Sequence, residues 1–267
     1  MIDKFINPIT TSFELLERYK KLLRNTLHIQ GLHQGEVDEI LQSIQVDQGL
    51  FLTLNRRYKT GQTPFRQFCT NQSLADSISD RFPKLASKRL YAHQEGAIKS
   101  ILAGQATIVS TGTGSGKTEA FLIPILDHCL KHPGPGVKAI VIYPMNALAN
   151  DQVRRLEKAT AVPPMITFGL FTGSTDERNR KAIRRDPPDI LITNYVMLDW
   201  MLTRSKDQPI FESSRNTLKY IVLDEIHIYR GNKATHLKYL LARLKSRLSG
   251  QIVQVGTSAT LQTKDQT

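Results

Sequence analysis

The chain has 267 residues, 40% of them hydrophobic, and carries a formal net charge of +12 with a pI near 9.7. That length suits one large domain or two small ones, and no apolar run approaches the roughly 18 residues needed to cross a bilayer. Met1-Ile2-Asp3-Lys4-Phe5 lacks the basic and apolar regions of a secretory signal, and Cys69 and Cys129 match no metal or redox spacing, so the expectation is a cytoplasmic protein with reduced thiols and no membrane partner. The basic balance suits nucleic acid first among partners, or simply a soluble basic surface.

Residues 1–88 read as mostly helical and show no recognisable chemistry. Ser12 is placed to cap a helix from Phe13 to Leu23, whose apolar positions 15, 16, 19, 22 and 23 follow helical spacing. A second helix is expected from Glu36 to Ile44, a short strand or extended arm over Gly49–Leu54, and a helix from Ser73 to Phe82 stopped by Pro83. Arg56-Arg57-Tyr58-Lys59 reads either as a phosphate contact or as a solvated turn.

From residue 89 onward strands and helices alternate. Helices are expected at Leu90–Leu102, Lys117–Leu130 (with Pro124 inside), Asn146–Ala159, Thr175–Arg185, Val196–Thr203 and Lys233–Leu248. Strands are expected at Thr107–Ser110, Lys138–Tyr143, Met165–Phe171, Asp189–Thr193, Tyr220–Asp224 and Ile252–Gly256. Near-continuous apolar strands between helices indicate an α/β fold with a parallel sheet covered on both faces. Ligands in such sheets sit at the carboxyl ends of the strands.

Two motifs stand at such ends. Ser110-Thr111-Gly112-Thr113-Gly114-Ser115-Gly116-Lys117-Thr118 runs from a strand into a helix. Its glycines let successive backbone N–H groups curl around a phosphate chain, and the next helix presents its positive end to the same anion. Lys117 is placed to reach β- and γ-phosphates, and the Thr118 hydroxyl to complete a Mg²⁺ shell. Thr111 stands at the first position of the pattern, where a small residue suffices. The second motif, Ile221-Val222-Leu223-Asp224-Glu225-Ile226-His227, closes an apolar strand with two carboxylates. Such a pair is costly to bury without a cation. Asp224 is placed to bind Mg²⁺, and Glu225 to orient or deprotonate an attacking water.

Together with Ser258-Ala259-Thr260, these stretches resemble motifs I, II and III of the superfamily 2 DEAD/DEAH-box-like helicases, in the order found in their first RecA-like domain. The resemblance covers residues 90–267 and implies a RecA-like sheet over 89–267, preceded by the helical region 1–88. It implies ATP and Mg²⁺ as cofactors and a catalytic set of Lys117, Asp224, Glu225 and His227. His93-Gln94 looks like the Q-motif, in which Gln94 reads adenine. Tyr143-Pro144-Met145-Asn146, Thr172-Gly173-Ser174 and Thr193-Asn194 occupy the places of motifs that contact a nucleic-acid backbone. The implied contacts are therefore Pro144, Asn146, Thr172, Gly173, Thr193 and Asn194. Ser258 and Thr260 are implied to bond His227 and Asp224, coupling nucleotide to domain closure.

Asp224-Glu225-Ile226-His227-Ile228-Tyr229-Arg230-Gly231 and Thr193-Asn194-Tyr195-Val196-Met197-Leu198 look like the MrfA/Hrq-type DNA helicases and related helicases of bacterial defence islands, which implies DNA in preference to RNA. Arg178, Arg180, Lys181, Arg184 and Arg185 either flank that track or form a solvated helix face. Tyr229-Arg230-Gly231 is expected to brace the sheet rather than touch DNA. Family members continue into a second RecA-like domain, and no second strand–helix series is legible here. The expectation is a motor half, completed by a second domain or a partner chain, that binds nucleotide weakly and unwinds nothing alone. The alternatives are a non-hydrolysing adaptor and a phosphate-loop ATPase without nucleic acid.

Overall fold

A computed structural model describes residues 17–26, 33–43, 58–112, 114–144, 156–157 and 159–259. The expected arm at 49–54 and most of the expected helix at 146–159 lie outside the described residues. The chain divides into two units, Met1–Arg56 and Arg57–Thr267.

In the first unit, α1 spans residues 17–26 and α2 spans Gln34–Ser43. The Glu36 carboxylate accepts the His33 N–H at 2.9 Å at the start of α2, where an acid suits the helix dipole. Arg24 donates to Asp38 at 3.4 Å, linking the two helices.

The second unit begins with β1 (Thr60–Pro64), α3 (Phe65–Asn71), α4 (Ile78–Arg81) and α5 (Pro83–Ala86). The helix expected over Ser73–Phe82 shrinks to one turn because Ser73 adopts a positive φ of 52° and reverses the chain. Pro83 starts a helix instead of stopping one. Its missing N–H costs nothing at the first helical position. β2 (Arg89–Tyr91) pairs antiparallel with β1, so the next helix, α6 (Ala92–Leu102), starts at Ala92 rather than Leu90. An extended Tyr91 whose N–H donates to Gln94 Oε1 makes that start.

Six parallel strands come next: β3 (Thr107–Ser110), β4 (Ala139–Tyr143), β5 (Phe168–Phe171), β6 (Ile190–Asn194), β7 (Tyr220–Leu223) and β8 (Val253–Ser258), in the spatial order β3-β8-β7-β4-β6-β5. The helices are α7 (Lys117–Lys131), α8 (Glu177–Arg185), α9 (Tyr195–Thr203), α10 (Gln208–Ser213) and α11 (Asn232–Lys245). Pro124 sits inside α7 without ending it. β5 is shorter than the expected Met165–Phe171. Before it, Thr167 turns both its N–H and its hydroxyl to Asp189 Oδ2 at 2.8 Å, and only its carbonyl bonds the neighbouring strand, accepting the Ile190 N–H at 3.1 Å.

Alternation along the strands divides the core in two. Ala139, Val141, Tyr143, Ile192, Val222 and Val255 face a cluster that includes Ile98, Phe121 and Ile125 from α6 and α7. Ile140, Ile142, Leu191 and Ile221 face the other cluster, built from Leu198, Phe211, Leu240 and Leu244. Each fully buried aliphatic or aromatic side chain contributes roughly 1.5–3 kcal/mol, which explains why both strand faces are apolar.

The strand order decides which loops meet at the carboxyl edge of the sheet. β8, last in the chain, lies between β3 and β7. Adjacent strands are about 4.8 Å apart, so the ends of β3 and β7 flank the end of β8 on either side.

Candidate nucleotide site and nucleic-acid edge

β3 ends at Ser110 and α7 begins at Lys117. Between them Gly114 and Gly116 hold φ of 74° and 76°, a region that strains residues with a Cβ. Gly116 is needed twice over, since a Cβ there would come within 2.2 Å of Gln94 Nε2. Gln94 is buried at 3% exposure, and its Nε2 donates to the Gly116 carbonyl at 2.9 Å. His93 Nε2 lies 2.9 Å from the Ser115 carbonyl oxygen. The start of α6 thus clamps the loop. Within the loop the Thr111 and Ser115 hydroxyls are 2.5 Å apart, and Lys117 Nζ donates to the Thr111 carbonyl at 2.9 Å. Gly112 is exposed, Thr118 is the second residue of α7, and Thr113 lies outside the described residues.

An aromatic group stands beside this loop. The Tyr58 ring is 5.4 Å from Tyr91 and 5.3 Å from His93, and Tyr91 and His93 stack at 5.6 Å. A Cβ on Gly112 would come within 2.7 Å of the Tyr58 hydroxyl. The Arg56–Lys59 stretch read from sequence as a basic segment therefore brings an aromatic ring to the loop. Arg56 and Arg57 lie outside the described residues.

The acidic pair is gripped by the end of β8. Leu223 pairs with Gly256, so the next step of the ladder sets Asp224 opposite Thr257. The Asp224 N–H donates to Ile142 at 3.0 Å, and its Oδ1 accepts from the Thr257 hydroxyl. The Glu225 N–H donates to Thr257 Oγ1 at 3.1 Å, and Glu225 Oε2 accepts the Ala259 N–H at 3.1 Å. Ser258 Oγ lies 3.2 Å from His227 Nδ1, and the same nitrogen lies 3.2 Å from Glu225 Oε2. Lys117 Nζ is 3.9 Å from Glu225 Oε1, which brings the first motif to the second. Glu225 adopts φ 50°, ψ 54°, a left-handed backbone that costs a non-glycine residue about 1–2 kcal/mol and that accumulates at functional sites. Burial, then the adjacent Glu225, push the Asp224 carboxyl above the usual carboxylate range, while the Thr257 bond and Lys117 oppose the shift.

At the other half of the edge, β4, β6 and β5 are neighbours, so Tyr143-Pro144, Thr193-Asn194 and Phe171-Thr172-Gly173 end side by side. Asn194 caps α9, its Oδ1 accepting the Met197 N–H at 2.8 Å. Thr193 is fully buried and its hydroxyl donates to Phe171 at 2.7 Å. Thr172 is buried as well, its N–H bonded to Thr175 Oγ1 at 2.9 Å. Both threonines shape the corner, and Gly173 is the exposed member. Asn146 lies outside the described residues.

A family model for the DEAD/DEAH box helicase matches residues 91–267. The chain belongs to the DEAD/DEAH box helicase family. It is 25% identical to the Druantia protein DruE of Escherichia coli, over 88% of this chain and 19% of that protein. It is 33% identical to the ATP-dependent helicase Lhr-Core of Methanothermobacter thermautotrophicus, over 63% of this chain and 21% of that one. Among solved structures, the DUF1998 helicase MrfA bound to DNA and AMPPNP superposes with a TM-score of 0.63 at 28% identity, over 78% of this chain and 28% of that one. The chain thus spans about a fifth of the length of the two relatives, and its six-stranded sheet is the RecA-like sheet of these helicases.

In this DEAD/DEAH box domain the donors present fit a Mg²⁺ ion. Asp224 and Glu225 place two carboxylates against the single ammonium of Lys117, which leaves negative charge for a hard cation. Magnesium takes few protein oxygens, completing its shell with water and phosphate. No helix among the described residues is long and apolar enough to cross a membrane. Thr260, named from sequence as a coupling residue, lies outside the described residues. The hydroxyl that meets Asp224 is that of Thr257, which sequence reading passed over. Its signal was register: it is the residue of the last strand that falls opposite the acid, visible only once β8 is known to adjoin β7.

The basic cluster on α8 divides. Arg184 donates to the fully buried Asp207 at 2.6 Å and to Glu177 at 2.7 Å. Arg180 donates to the Thr172 carbonyl at 2.8 Å, and both guanidinium groups lie within 6 Å of the Phe171 ring. Arg178, Lys181 and Arg185 are exposed. Tyr229, 8% exposed, packs edge-on against Tyr195 at 5.8 Å, so it braces the core.

Proposed function

We propose that this chain is the nucleotide-binding motor half of an ATP-dependent DNA helicase or translocase. The observation that carries the reading is the convergence of Lys117, Glu225 and the end of β8 on one strand edge. It is supported by family membership and by a structural relative solved with DNA and AMPPNP.

In this reading the backbone N–H groups from Gly112 to Thr118 hold the phosphates, and Lys117 leaves the Thr111 carbonyl for the β- and γ-oxygens. Adenine lies toward Gln94 and the Tyr58, Tyr91 and His93 rings. Mg²⁺, when bound, would supply positive charge to offset the negative charge that develops on the phosphates. Thr118 and Asp224 are the side chains that hold it. Glu225, kept in place by the Ala259 N–H, orients and deprotonates the water. His227, between Glu225 and Ser258, links that step to the strand end, with Thr260 as a further coupling hydroxyl. Pro144, Asn146, Thr172, Gly173, Thr193 and Asn194 form the nucleic-acid side, where backbone groups and the start of α9 contact phosphates without reading bases. DNA is the preferred strand, and phage defence or DNA repair the setting. A second RecA-like domain or a partner chain closes the cleft.

The test measures binding of a fluorescent ATP analogue with Mg²⁺, binding of single-stranded DNA across a salt series, and ATP hydrolysis with and without that DNA. The chain is expected to bind both ligands, with DNA affinity falling steeply as salt rises. Slow hydrolysis is expected from these 267 residues, with DNA stimulation when the second domain is supplied. A chain that binds no nucleotide refutes the reading. One that binds nucleotide but shows no salt-dependent DNA binding is a phosphate-loop ATPase of another kind.

A further inference from the structure

Thr257 stands outside every motif that the sequence brought forward, yet it touches both acids of the nucleotide site. Its side chain is fully buried. Its Oγ1 lies 3.1 Å from the Glu225 amide nitrogen and is hydrogen-bonded to Asp224 Oδ1. The direction of this relay is set by chemistry. An amide N–H only donates, so Oγ1 accepts from Glu225, and its own proton is left for the Asp224 carboxylate, which only accepts. One hydroxyl therefore satisfies a buried amide and orients a carboxylate. Valine, its isostere, does neither.

The mount is rigid. Val109 and Thr257 are paired across β3 and β8, and Leu223 and Gly256 across β7 and β8, so the backbone of Thr257 is held from both sides. A β-branched side chain on a strand has restricted χ1 freedom. The hydroxyl is thus held in position by the sheet before any ligand arrives.

We propose that Thr257 is a positioning residue that presents the Asp224 carboxylate to the divalent cation of the bound nucleotide, by tying one oxygen down and leaving the other outside that bond. The proposal rests on the nucleotide reading above. Carboxylates that bind metals are themselves oriented by such hydrogen bonds, and losing the partner weakens the metal about 10- to 100-fold.

The test uses the full chain and the variants Thr257→Val, Thr257→Ser and Thr257→Cys, the last in case the valine variant fails to fold. A fluorescent ADP is titrated without Mg²⁺ and then at rising Mg²⁺, giving the Mg²⁺ concentration that half-saturates the gain in affinity. Valine is expected to raise that concentration about tenfold or more, and cysteine by less, whereas serine stays within about twofold of wild type. Metal-free ADP affinity, held by the phosphate loop, should be unchanged in all folded variants, a separation that a merely structural role would not produce. An unaltered Mg²⁺ requirement in the valine or cysteine variant overturns the proposal, as does equal loss of metal-free and metal-bound affinity. A wild-type chain that binds no ADP at any Mg²⁺ concentration removes the nucleotide reading itself, and this proposal with it.

Discussion

Thr257 and Asp224 are joined across neighbouring strands by a hydrogen bond from a fully buried hydroxyl to a carboxylate at a strand tip. The bond exists because β8 is inserted between β3 and β7. The same insertion gives each of the residues Thr257, Ser258 and Ala259 a partner in the acidic motif: Asp224, His227 and Glu225. The Thr111 N–H also donates to the Ser258 carbonyl at 3.2 Å. One strand end therefore touches both the phosphate loop and the acidic motif, and a shift in either is felt by the other through a single backbone segment.

Asp224 carries a stability cost that its substitution should reveal. Burial, then Glu225, raise its folded pKa above the ordinary value. The folded chain thus binds more protons than the unfolded chain between those two values, so stability falls as pH rises through that window and stays reduced at neutral pH. Asp224→Asn removes the charge and keeps an oxygen for Thr257 to donate to. The metal-free variant should gain on the order of 1 kcal/mol, read as a melting temperature higher by about 2–4 °C at pH 7, and should lose the extra stabilisation that Mg²⁺ gives with nucleotide. A lower melting temperature than wild type would show that the charge is compensated in the metal-free protein.

Gly116 is held by geometry on two counts. Gly116→Ala puts a Cβ at a φ of 76° and 2.2 Å from Gln94 Nε2, a combination expected to cost about 1–2 kcal/mol for the backbone alone. The variant should fold with a lower melting temperature and bind an ATP analogue at least about tenfold more weakly, since the amides that line the loop move. Adding Gln94→Ala should recover part of the stability, because the side-chain clash goes while the backbone strain stays. Additive losses in that double-mutant cycle would deny the contact.

Much of this was legible in the chain. The phosphate loop announced itself because glycine at a positive φ and a terminal Lys-Thr form a local pattern that no distant contact has to complete. The acidic pair did so because two carboxylates ending an apolar strand contradict ordinary burial. All six parallel strands fell where apolar runs predicted them, and in β4, β6 and β7, which are buried on both faces, the hydrophobicity has to be continuous. What stayed hidden depended on register or on a partner far along the chain. The pairing of β1 with β2 joins Thr60–Pro64, a short stretch that holds Gly61, ends in Pro64 and has no large apolar residue, to residues read as the start of a helix. The role of Arg184 was masked because its partner Asp207 is 23 residues away, and five basic residues on one helix look alike until one of them is found to neutralise a buried acid.

That division of the basic cluster can be tested. Asp207 is fully buried, and Arg184 is the cation beside it at 2.6 Å. Arg184→Met strands the carboxylate and is expected to cost about 3–5 kcal/mol, seen as a lower urea midpoint. Arg178 and Lys181 are exposed on the same helix, and replacing both by Ala should move stability by less than about 0.5 kcal/mol. If these two flank the DNA track, the double variant weakens DNA binding at low salt and makes the salt dependence shallower by about 1–2 units of slope. An unchanged slope assigns them to a solvated face.

Acid sensitivity should concentrate at His128. Its ring lies 4.2 Å from His132 and edge-on to Tyr220 at 5.5 Å. Burial, then His132, Lys219 and Lys138, depress its pKa to about 4, with Asp127 opposing. For a base whose folded pKa is lowered, the unfolded chain binds the extra proton between the two values, so stability is intact above the ordinary value of 6.5 and is lost as pH falls toward about 4. Wild-type melting temperature should therefore drop across that interval. His128→Gln removes the titrating group, leaves the remaining pH dependence to the carboxylates, and should flatten the curve between those limits at the expense of some packing against Tyr220. If the two curves run parallel from pH 6.5 to 4, His128 is protonated in the folded protein as readily as in the unfolded one, and burial is not controlling it.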